Sequence, residues 1–427
     1  MVDCGTAQGH DPQLPMAQWP VKPDEIDYLF LTHAHIDHIG RLPELIQNGF
    51  NGEIICSHPT KALLMPMLTD AMGFSRLAQA QIAKLARTID DLAWGFEYGE
   101  DFRLRKGISF KLGRAGHIMG SAFIRFSIPT GSNRNYKIIF SGDLGCKNTP
   151  ILPDPDIPEF CDLLILESTY GNRNHEGRDE RLHTLGEKLV RALADRGKVF
   201  IPAFSLGRTQ EILFELDRLF SAKKWRKKFP ELSASATDKS PIPVFVDSPL
   251  GLKITEIYSK LQPFWDSESQ ALKDDGDHPF DFEHLYAVFR YKDHQSLLDI
   301  SGPAIIIAGS GMCSGGRIID HLETGLEKPE NDIFFVGYQV SGTPGHDIIK
   351  YGRRPGGYVR LNNEKVYLRA NIEKLSGYSA HADQRGLLDW VNSMPEKPGR
   401  IKLVHGDSEA RNVLSRKLEK MGNQVVV

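Results

Sequence analysis

Four potential metal ligands lie within six residues of one another, in the segment His33-Ala34-His35-Ile36-Asp37-His38. This segment follows Tyr28-Leu29-Phe30-Leu31, an apolar run that predicts a short buried strand. Imidazole and carboxylate groups suit zinc, and so many polar groups beside a core would be costly without a cation. The fold must therefore hold a polar loop at the end of a strand, and we expect that loop to bind metal.

Three more candidate ligands, His117, Asp143 and His405, each lie next to a glycine in a turn near a predicted strand. Taken singly, each would be an ordinary capping or surface residue. Loops at strand ends are where proteins usually build their sites. Together with the first segment, these residues supply enough nitrogen and oxygen ligands for two coordination spheres.

Length and composition restrict the setting of this site. A chain of 427 residues predicts two domains, or one domain with a large insert. We find no apolar run long enough to span a membrane and no secretory signal. Five scattered cysteines without a CxxC pair argue against disulfides and against a thiolate zinc site, and favour the cytoplasm. A net charge of -3 neither supports nor excludes a nucleic-acid partner.

The middle of the chain repeats one pattern, in which an apolar run is followed by a loop and then a helix. The four runs span residues 199–203, 243–247, 304–308 and 332–336. This repeat predicts a parallel, doubly wound sheet. Before it, residues 61–95 have apolar positions at three- and four-residue steps, which predicts helix throughout.

The order of the motifs resembles that of the metallo-β-lactamase superfamily. The matching pieces are Asp3-Cys4-Gly5, His33-Ala34-His35-Ile36-Asp37-His38, Gly116-His117, Gly142-Asp143 and Val404-His405-Gly406. The resemblance implies two zinc ions with Asp143 between them, one held by His33, His35 and His117 and the other by Asp37, His38 and His405. It also implies that Asp3 orients the ligands, and it places Asp3 and Asp37 in the catalytic set.

Three further motifs resemble the β-CASP nucleases, in the branch that holds the endonuclease subunit of the cleavage and polyadenylation specificity factor. They are Glu167-Ser168-Thr169-Tyr170-Gly171, Ser379-Ala380-His381-Ala382-Asp383 and Val404-His405-Gly406. A histidine at the third motif marks the RNA-acting members. The resemblance therefore implies a zinc-dependent ribonuclease that cuts internally or from a 5′ end, in RNA processing or decay. It implies RNA as partner, no membrane association, and a possible homodimer.

The fold implied by this resemblance is an αββα metallo-β-lactamase sandwich with an inserted β-CASP domain. We expect the first unit over residues 1–171 and 358–427, and the insert over 172–357. Members of the family normally have a β-hairpin before the strand that ends at Asp3. We therefore expect a sandwich that lacks its first strands, which affects the seating of Asp3.

Other residues are candidates for proton transfer and phosphate binding. His381 would be the general acid that protonates the leaving ribose oxygen, because histidine titrates near neutral pH, and Glu167 would orient it. Backbone N–H groups in the loop 309–317 could hold a phosphate at a helix start, although a tight glycine turn explains this loop equally well. The candidate phosphate contacts are Ser310, Gly311 and Ser379.

Two other functions remain open at this level. A hydrolase of small esters or thioesters would not need the long insert, and a silent RNA-binding scaffold would not need all seven ligands. The basic run 223–228 with Trp225 could bind RNA, but a solvated helix end is the more common explanation. We expect surface positions for the remaining histidines: His10, His58, His175, His183, His278, His284, His294, His321 and His346.

Overall fold

The computed structural model describes residues 1–7, 13–131, 134–175, 177–233, 242–352 and 354–426, so His10 lies outside the described residues. No helix in these ranges has both the length and the apolar character needed to cross a bilayer. The strands are β1 Tyr28–Phe30, β2 Glu53–Ser57, β3 Ala93–Phe96, β4 Asp101–Arg103, β5 Ser109–Arg114, β6 Ala122–Ile128, β7 Tyr136–Phe140, β8 Leu163–Glu167, β9 Lys198–Pro202, β10 Val244–Asp247, β11 Leu285–Ala287, β12 Ala304–Ala308, β13 Asp332–Phe335, β14 Tyr358–Leu361, β15 Glu364–Tyr367, β16 Asn371–Lys374, β17 Arg400–Val404 and β18 Val425–Val426.

Helices connect and cover these strands. They are α1 Ile36–Ile39, α2 Leu42–Gln47, α3 His58–Gly73, α4 Gln79–Leu92, α5 Arg181–Leu193, α6 Arg208–Ser221, α7 Lys223–Lys228, α8 Pro230–Ser233, α9 Pro249–Lys260, α10 Ser267–Asp274, α11 Tyr291–Leu298, α12 Ile318–Gly325, α13 Pro344–Tyr351, α14 Gln384–Asn392 and α15 Ser408–Lys420.

The first unit is a sandwich of two sheets with helices on both outer faces. A parallel sheet of order β1-β2-β3 packs its apolar face, with Phe30 and Ile55, against Phe110 and Ile124 of a seven-stranded sheet. That larger sheet has the order β18-β17-β8-β7-β6-β5-β4. Helices α3 and α4 cover the small sheet, and α14 and α15 cover the large one. The expected αββα sandwich is therefore confirmed.

The inserted unit is a parallel sheet of order β11-β10-β12-β9-β13-β16. Successive residues of β9 point to opposite faces, as in any strand. Val199 and Ile201 pack with α5, α6 and α9, whereas Phe200 packs with α12 and α13. Apolar residues on both faces explain the near-continuous hydrophobic runs of these strands. The expected doubly wound sheet is confirmed.

The pairing of β16 bears on where the chain returns from the insert to the first unit. We expected this return at residue 358, but β16 pairs with β13 in the insert's sheet, with Asn371 opposite Asp332. The hairpin β14-β15 precedes β16 and turns through Asn362 and Asn363, both with positive φ, as a two-residue hairpin turn requires. We therefore propose a boundary after residue 374.

The prediction of helix throughout residues 61–95 was wrong in part. The segment contains most of α3, then α4, and finally the first residues of strand β3. Ala78, the N-cap residue of α4, has the extended value ψ 149°, so the chain changes direction between the two helices. β3 forms because it pairs in parallel with β2, a long-range contact that local periodicity does not reveal.

The two units share a close-packed interface beside the histidine loop. Gly207 has φ +87°, and a Cβ at this position would lie 2.6 Å from the Ile118 side chain, so only glycine permits the approach. Across the interface, the Met119 N–H donates to the Tyr258 hydroxyl over 3.2 Å. The Phe204 ring, which follows β9, lies 6.3 Å from the ring of His35. The carboxyl ends of the insert's strands therefore face the predicted metal loops.

Candidate metal centre

The histidine segment is a strand end that passes directly into a one-turn helix. His33 follows β1 and is fully buried, and His35 is the N-cap residue of α1. Asp37 and His38 lie within that helix, so a single turn directs their side chains to the same side as the two preceding histidines. This geometry brings four ligand candidates together without any long-range pairing.

The first group consists of His33, His35 and His117. His35 Nδ1 lies 3.1 Å from His33 Nε2 and 3.2 Å from His117 Nε2. Burial lowers the pKa of His33 and of His117 well below the ordinary histidine value, so both rings are neutral near pH 7. Three imidazole nitrogens that converge this closely repel one another unless a proton or cation lies between them.

The second group consists of Asp37, His38 and His405. Asp37 Oδ2 lies 3.8 Å from His38 Nε2 and 3.9 Å from His405 Nε2. His405 reaches this position because β17 pairs in parallel with β8 and brings the end of the chain back to the sandwich. This pairing places His405 at the end of the large sheet, and the packing of the two sheets brings it next to the histidine segment that follows β1.

Asp143 lies between the two groups. Its Oδ2 is 3.6 Å and 3.7 Å from Nε2 of His33 and His117, and 3.4 Å from Nε2 of both His38 and His405. Burial alone would raise the pKa of Asp143, but His405 and His38 hold it well below its ordinary value. The Asp143 carboxylate in turn raises the pKa of His405 to about 9. Protons on histidine thus balance a buried negative charge that a metal cation would also balance.

The residues fit a metal for two further reasons. Among the described residues, the buried atoms His38 Nε2 and Asp143 Oδ1 have no hydrogen-bond partner, which is costly in a purely polar cluster. No lysine or arginine of the described ranges pairs with Asp3, Asp37 or Asp143. A histidine-rich cluster that, within the described residues, has no arginine partner and keeps unpaired ligand atoms matches the donor set of a zinc site.

Asp3 is held in place by several hydrogen bonds, although we expected the missing first strands to affect its position. Its backbone N–H donates to the Phe30 carbonyl over 2.8 Å, and its Oδ1 accepts from Thr32 N over 2.8 Å. Oδ2 accepts from His38 Nδ1 over 2.7 Å. This hydrogen bond keeps the His38 proton on Nδ1 and directs Nε2 towards Asp143, an arrangement that often supports metal-binding histidines.

Strained backbone accompanies the site. His405 and Asp3 are non-glycine residues with φ +51° and +56°, in the left-handed region that side chains rarely adopt. Such conformations cost about 1–3 kcal/mol each and persist where the surrounding structure enforces them. Here the strain directs both side chains towards His38.

His381 and Glu167 also meet beside Asp143. His381 Nδ1 lies 3.3 Å from Glu167 Oε1 and 3.9 Å from Asp143 Oδ2. Glu167 is buried at the end of β8 and is fixed by the N–H groups of Leu144 and Thr169, at 2.7 Å and 3.1 Å. Burial lowers the pKa of His381 most strongly, but the nearby Glu167 and Asp143 carboxylates outweigh it, and the pKa is raised. Glu167 therefore holds the His381 ring in one orientation and favours its protonated form.

Sequence reasoning missed the residues that hold the His381 loop. Arg178 donates to the carbonyls of Gly377 and Ser379, at 3.0 Å and 3.2 Å. His175, expected at the surface, is instead partly buried, with Nε2 2.9 Å from the His381 carbonyl. A lone arginine and a lone histidine in a loop after Glu167 give no local signal for this role.

The candidate phosphate contacts lie in two different places. Ser379 belongs to the His381 loop and is buried at 4% exposure. Ser310 follows β12 and accepts from Ser314 N over 3.0 Å. Gly311 packs against Phe204, where a Cβ would lie 3.0 Å from the ring. Close packing thus accounts for the Gly311 glycine, and phosphate binding by these residues stays a prediction.

A second buried cluster was not expected. Asp247 Oδ2 lies 2.6 Å from both His294 Nδ1 and His321 Nε2, and all three side chains are buried, so the surface expectation for these histidines was wrong. Arg317 donates to Asp247 Oδ1 over 2.7 Å, and Asp320 Oδ2 lies 2.8 Å from His294 Nε2. The sequence signal that could have revealed this cluster was Asp247 at the end of an apolar strand, a position like that of Asp143.

Comparisons with known proteins agree with this geometry. Three family models match consecutive parts of the chain: the metallo-beta-lactamase superfamily over residues 1–202, the Beta-Casp domain over 209–348, and the Zn-dependent metallo-hydrolase RNA specificity domain over 365–427. Ribonuclease TTHA0252 of Thermus thermophilus is 36% identical over 425 residues, which cover all of this chain and 91% of that protein. The chain belongs to the β-CASP family of the metallo-β-lactamase superfamily.

Other β-CASP relatives are longer. The transcription termination factor FttA of Methanosarcina mazei is 29% identical over 96% of this chain, and the cleavage and polyadenylation specificity factor 73 of Drosophila melanogaster is 28% identical over 98%. This chain covers 63% and 58% of those two proteins, about three fifths of their length. Zinc dependence is a property of the matched family and agrees with the clustered histidines and aspartates.

Proposed function

We propose that this chain is a ribonuclease that hydrolyses RNA phosphodiester bonds at a centre of two zinc ions. The observation that carries the proposal is the position of Asp143 Oδ2, within 3.4–3.7 Å of ligand nitrogens from both groups. A carboxylate shared in this way is what a two-metal centre requires, and a single-metal centre would not need two separate triads.

The seven ligands divide as the resemblance implied: His33, His35 and His117 on one side, Asp37, His38 and His405 on the other, and Asp143 between them. Zinc bound there would supply Lewis acidity, which activates water near neutral pH and neutralises charge on phosphate oxygens. Asp3 would keep His38 in the correct tautomer through its 2.7 Å hydrogen bond.

His381 would deliver the proton to the leaving ribose oxygen. Burial lowers the pKa of His381, but the Glu167 carboxylate, 3.3 Å from Nδ1, raises it and fixes the orientation of the ring. The Arg178 and His175 contacts to the loop carbonyls hold the ring in place while the substrate binds. General-acid catalysis of this kind contributes about 10²–10⁴-fold in rate.

RNA as the substrate is supported by the relatives, since the Thermus protein is named a ribonuclease. The insert also supports it, because a small ester would not need a second sheet facing the metal loops. Both internal cutting and cutting from a 5′ end agree with this proposal. A homodimer and the cytoplasm stay predictions; the five cysteines are free and buried, as expected in a reducing compartment.

The test compares RNA labelled at either end, incubated with wild type, His381→Ala and His183→Ala. His183 is a partly exposed histidine on α5, paired with Glu187, and serves as the matched control. We expect cleavage by wild type and the control, and a loss of about 10²–10⁴-fold for His381→Ala with zinc retained. The positions of the labelled products distinguish internal from terminal cutting.

Two results would contradict the proposal. Cleavage of a thioester panel but not of RNA would favour the small-ester hydrolase. RNA binding without cleavage, in a protein with less than one zinc per chain, would favour the silent scaffold. Unchanged cleavage by His381→Ala would remove only the general-acid assignment.

A further inference from the structure

Four consecutive exposed residues, Phe289-Arg290-Tyr291-Lys292, stand out on the inserted unit. Phe289 is 60% exposed and Tyr291 is 61% exposed, values unusual for large apolar rings on a soluble surface. Aromatic and cationic side chains alternate in this run. This composition is typical of surfaces on which single-stranded nucleic acid stacks its bases while cations contact its phosphates.

The topology places this run on the same edge as the metal centre. β11 ends at Ala287, just before Phe289, and all six strands of its sheet run in parallel. Their carboxyl ends therefore lie along one edge, with Phe204 following β9 and Phe289 following β11. The strand order separates β11 from β9 by three steps, or about 14 Å at about 4.8 Å a step.

A continuous series of contacts links the two ends of this edge. The Phe204 ring lies 6.3 Å from His35 and packs against Gly311. The loop that contains Gly311 ends at Arg317, which donates to the carbonyls of Val288 and Phe289, at 2.9 Å and 2.8 Å. Arg317 is itself anchored by Asp247. The buried cluster thus fixes the exposed run to the loop beside the metal centre.

The charges along this edge suit an anionic chain. Arg290 is 79% exposed, and among the described residues its guanidinium pairs with Asp293 through two hydrogen bonds, of 2.8 Å and 2.9 Å. RNA phosphate would have to share this arginine with Asp293. Lys292 is exposed. The Tyr291 ring is supported on one side by His294, at 5.4 Å, which leaves its other side open to solvent.

We propose that Phe289-Arg290-Tyr291-Lys292 is an outer subsite that binds single-stranded RNA leaving the metal centre, with bases stacked on Phe289 and Tyr291. The proposal rests on the proposed ribonuclease function and adds a length requirement to it. The path runs about 14 Å from Phe289 to Phe204 and a further 6.3 Å from Phe204 to His35, about 20 Å in all. At about 3.4 Å per stacked nucleotide, it holds roughly six nucleotides between the centre and the subsite. Shorter RNA would not reach it.

The test uses the double variant Phe289→Ala/Tyr291→Ala and the control Phe74→Ala. Phe74 is an 83% exposed ring at the end of α3, in the first unit. With the metal-loaded proteins, we expect the KM for RNA of about 12 nucleotides to rise roughly five- to tenfold in the double variant, with kcat unchanged. Cleavage of RNA of about four nucleotides, and melting temperatures, should match those of Phe74→Ala.

Binding of the longer RNA, followed by fluorescence anisotropy in the His381→Ala background, gives a readout independent of cleavage. Binding that the double variant leaves unchanged overturns the subsite and leaves the ribonuclease proposal intact. If the double variant binds RNA more weakly but the wild-type protein cuts no RNA, the result supports the subsite and overturns the ribonuclease proposal. Unchanged RNA binding with loss of a dimer in sedimentation would assign the run to self-association and overturn the subsite.

Discussion

Two buried clusters in this protein use the same kinds of side chain and balance their charge differently. In the metal centre, Asp143 is surrounded by four histidine nitrogens within 3.7 Å. In the insert, Asp247 is surrounded by two, from His294 and His321. Asp247 also accepts from Arg317, whereas no arginine or lysine of the described ranges pairs with Asp143.

The difference shows what distinguishes a metal site from a structural ion network. Around Asp247, the chain supplies its own cation, and Arg317 joins the carboxylate to two backbone carbonyls. Around Asp143, two ligand atoms have no hydrogen-bond partner among the described residues, and the negative charge depends on protonated histidines. Histidine and aspartate near one another are therefore insufficient evidence for a metal, and a missing internal cation is the informative feature.

The largest expected effect comes from Asp143→Asn. An amide cannot serve as a bridging anionic ligand, so zinc content should fall and RNA cleavage should drop by more than the roughly 100-fold typical of residues that only orient ligands. Metal analysis measures the zinc content, and cleavage rates measure the activity. Asp143→Asn with full zinc and full activity would contradict the shared-ligand role.

The matched change in the other cluster is Asp247→Ala. Removing this carboxylate leaves the Arg317 charge without its partner, which typically costs about 3–5 kcal/mol. We expect a lower free energy of unfolding in chemical denaturation, with zinc content per chain unchanged. A loss of zinc without a loss of stability would show that the Asp247 cluster binds metal after all.

A smaller effect is expected from Asp3→Asn. The Asn amide would put an N–H group towards the His38 Nδ1–H or the Thr32 hydroxyl, so the 2.7 Å hydrogen bond that orients His38 would be lost. Zinc affinity should fall about 10- to 100-fold, as is typical for such supporting residues. Competition with a chelator measures it, and an unchanged affinity would show that His38 needs no orientation.

The smallest effect concerns a buried carboxylate without histidine partners. Asp217 on α6 is 2% exposed and accepts from the Ser221 hydroxyl over 2.6 Å. Burial raises the pKa of Asp217 to about 6, and Asp277 and Asp281 add to the shift. Because the folded state binds this proton more tightly than the unfolded state, stability is lost as pH rises from about 4 to about 6.

Asp217→Asn should therefore stabilise the protein by about 3 kcal/mol at pH 8 and by less than about 1 kcal/mol at pH 4. Denaturation at both pH values checks it, with the exposed Asp24→Asn as control. An equal gain at both pH values would mean that the charge of Asp217 is not the cause.

Local patterns in the sequence predicted most of the strands, the parallel sheet of the insert and the histidine segment 33–38, and the family resemblance implied how the seven ligands group. These predictions succeeded because each ligand segment follows an apolar strand, where composition and position agree. They failed where long-range pairing decides: β3 depends on β2, and β16 depends on β13. Arg178, His294 and His321 were missed for the same reason, since their partners lie far along the chain.

The most direct test is anomalous X-ray scattering at the zinc absorption edge from crystals of the purified protein. We expect two peaks, one beside His33, His35 and His117 and the other beside Asp37, His38 and His405, with Asp143 between them, and none at Asp247. A single peak at the centre, or a peak at the Asp247 cluster, would contradict the view that an unbalanced buried carboxylate marks the two-zinc site.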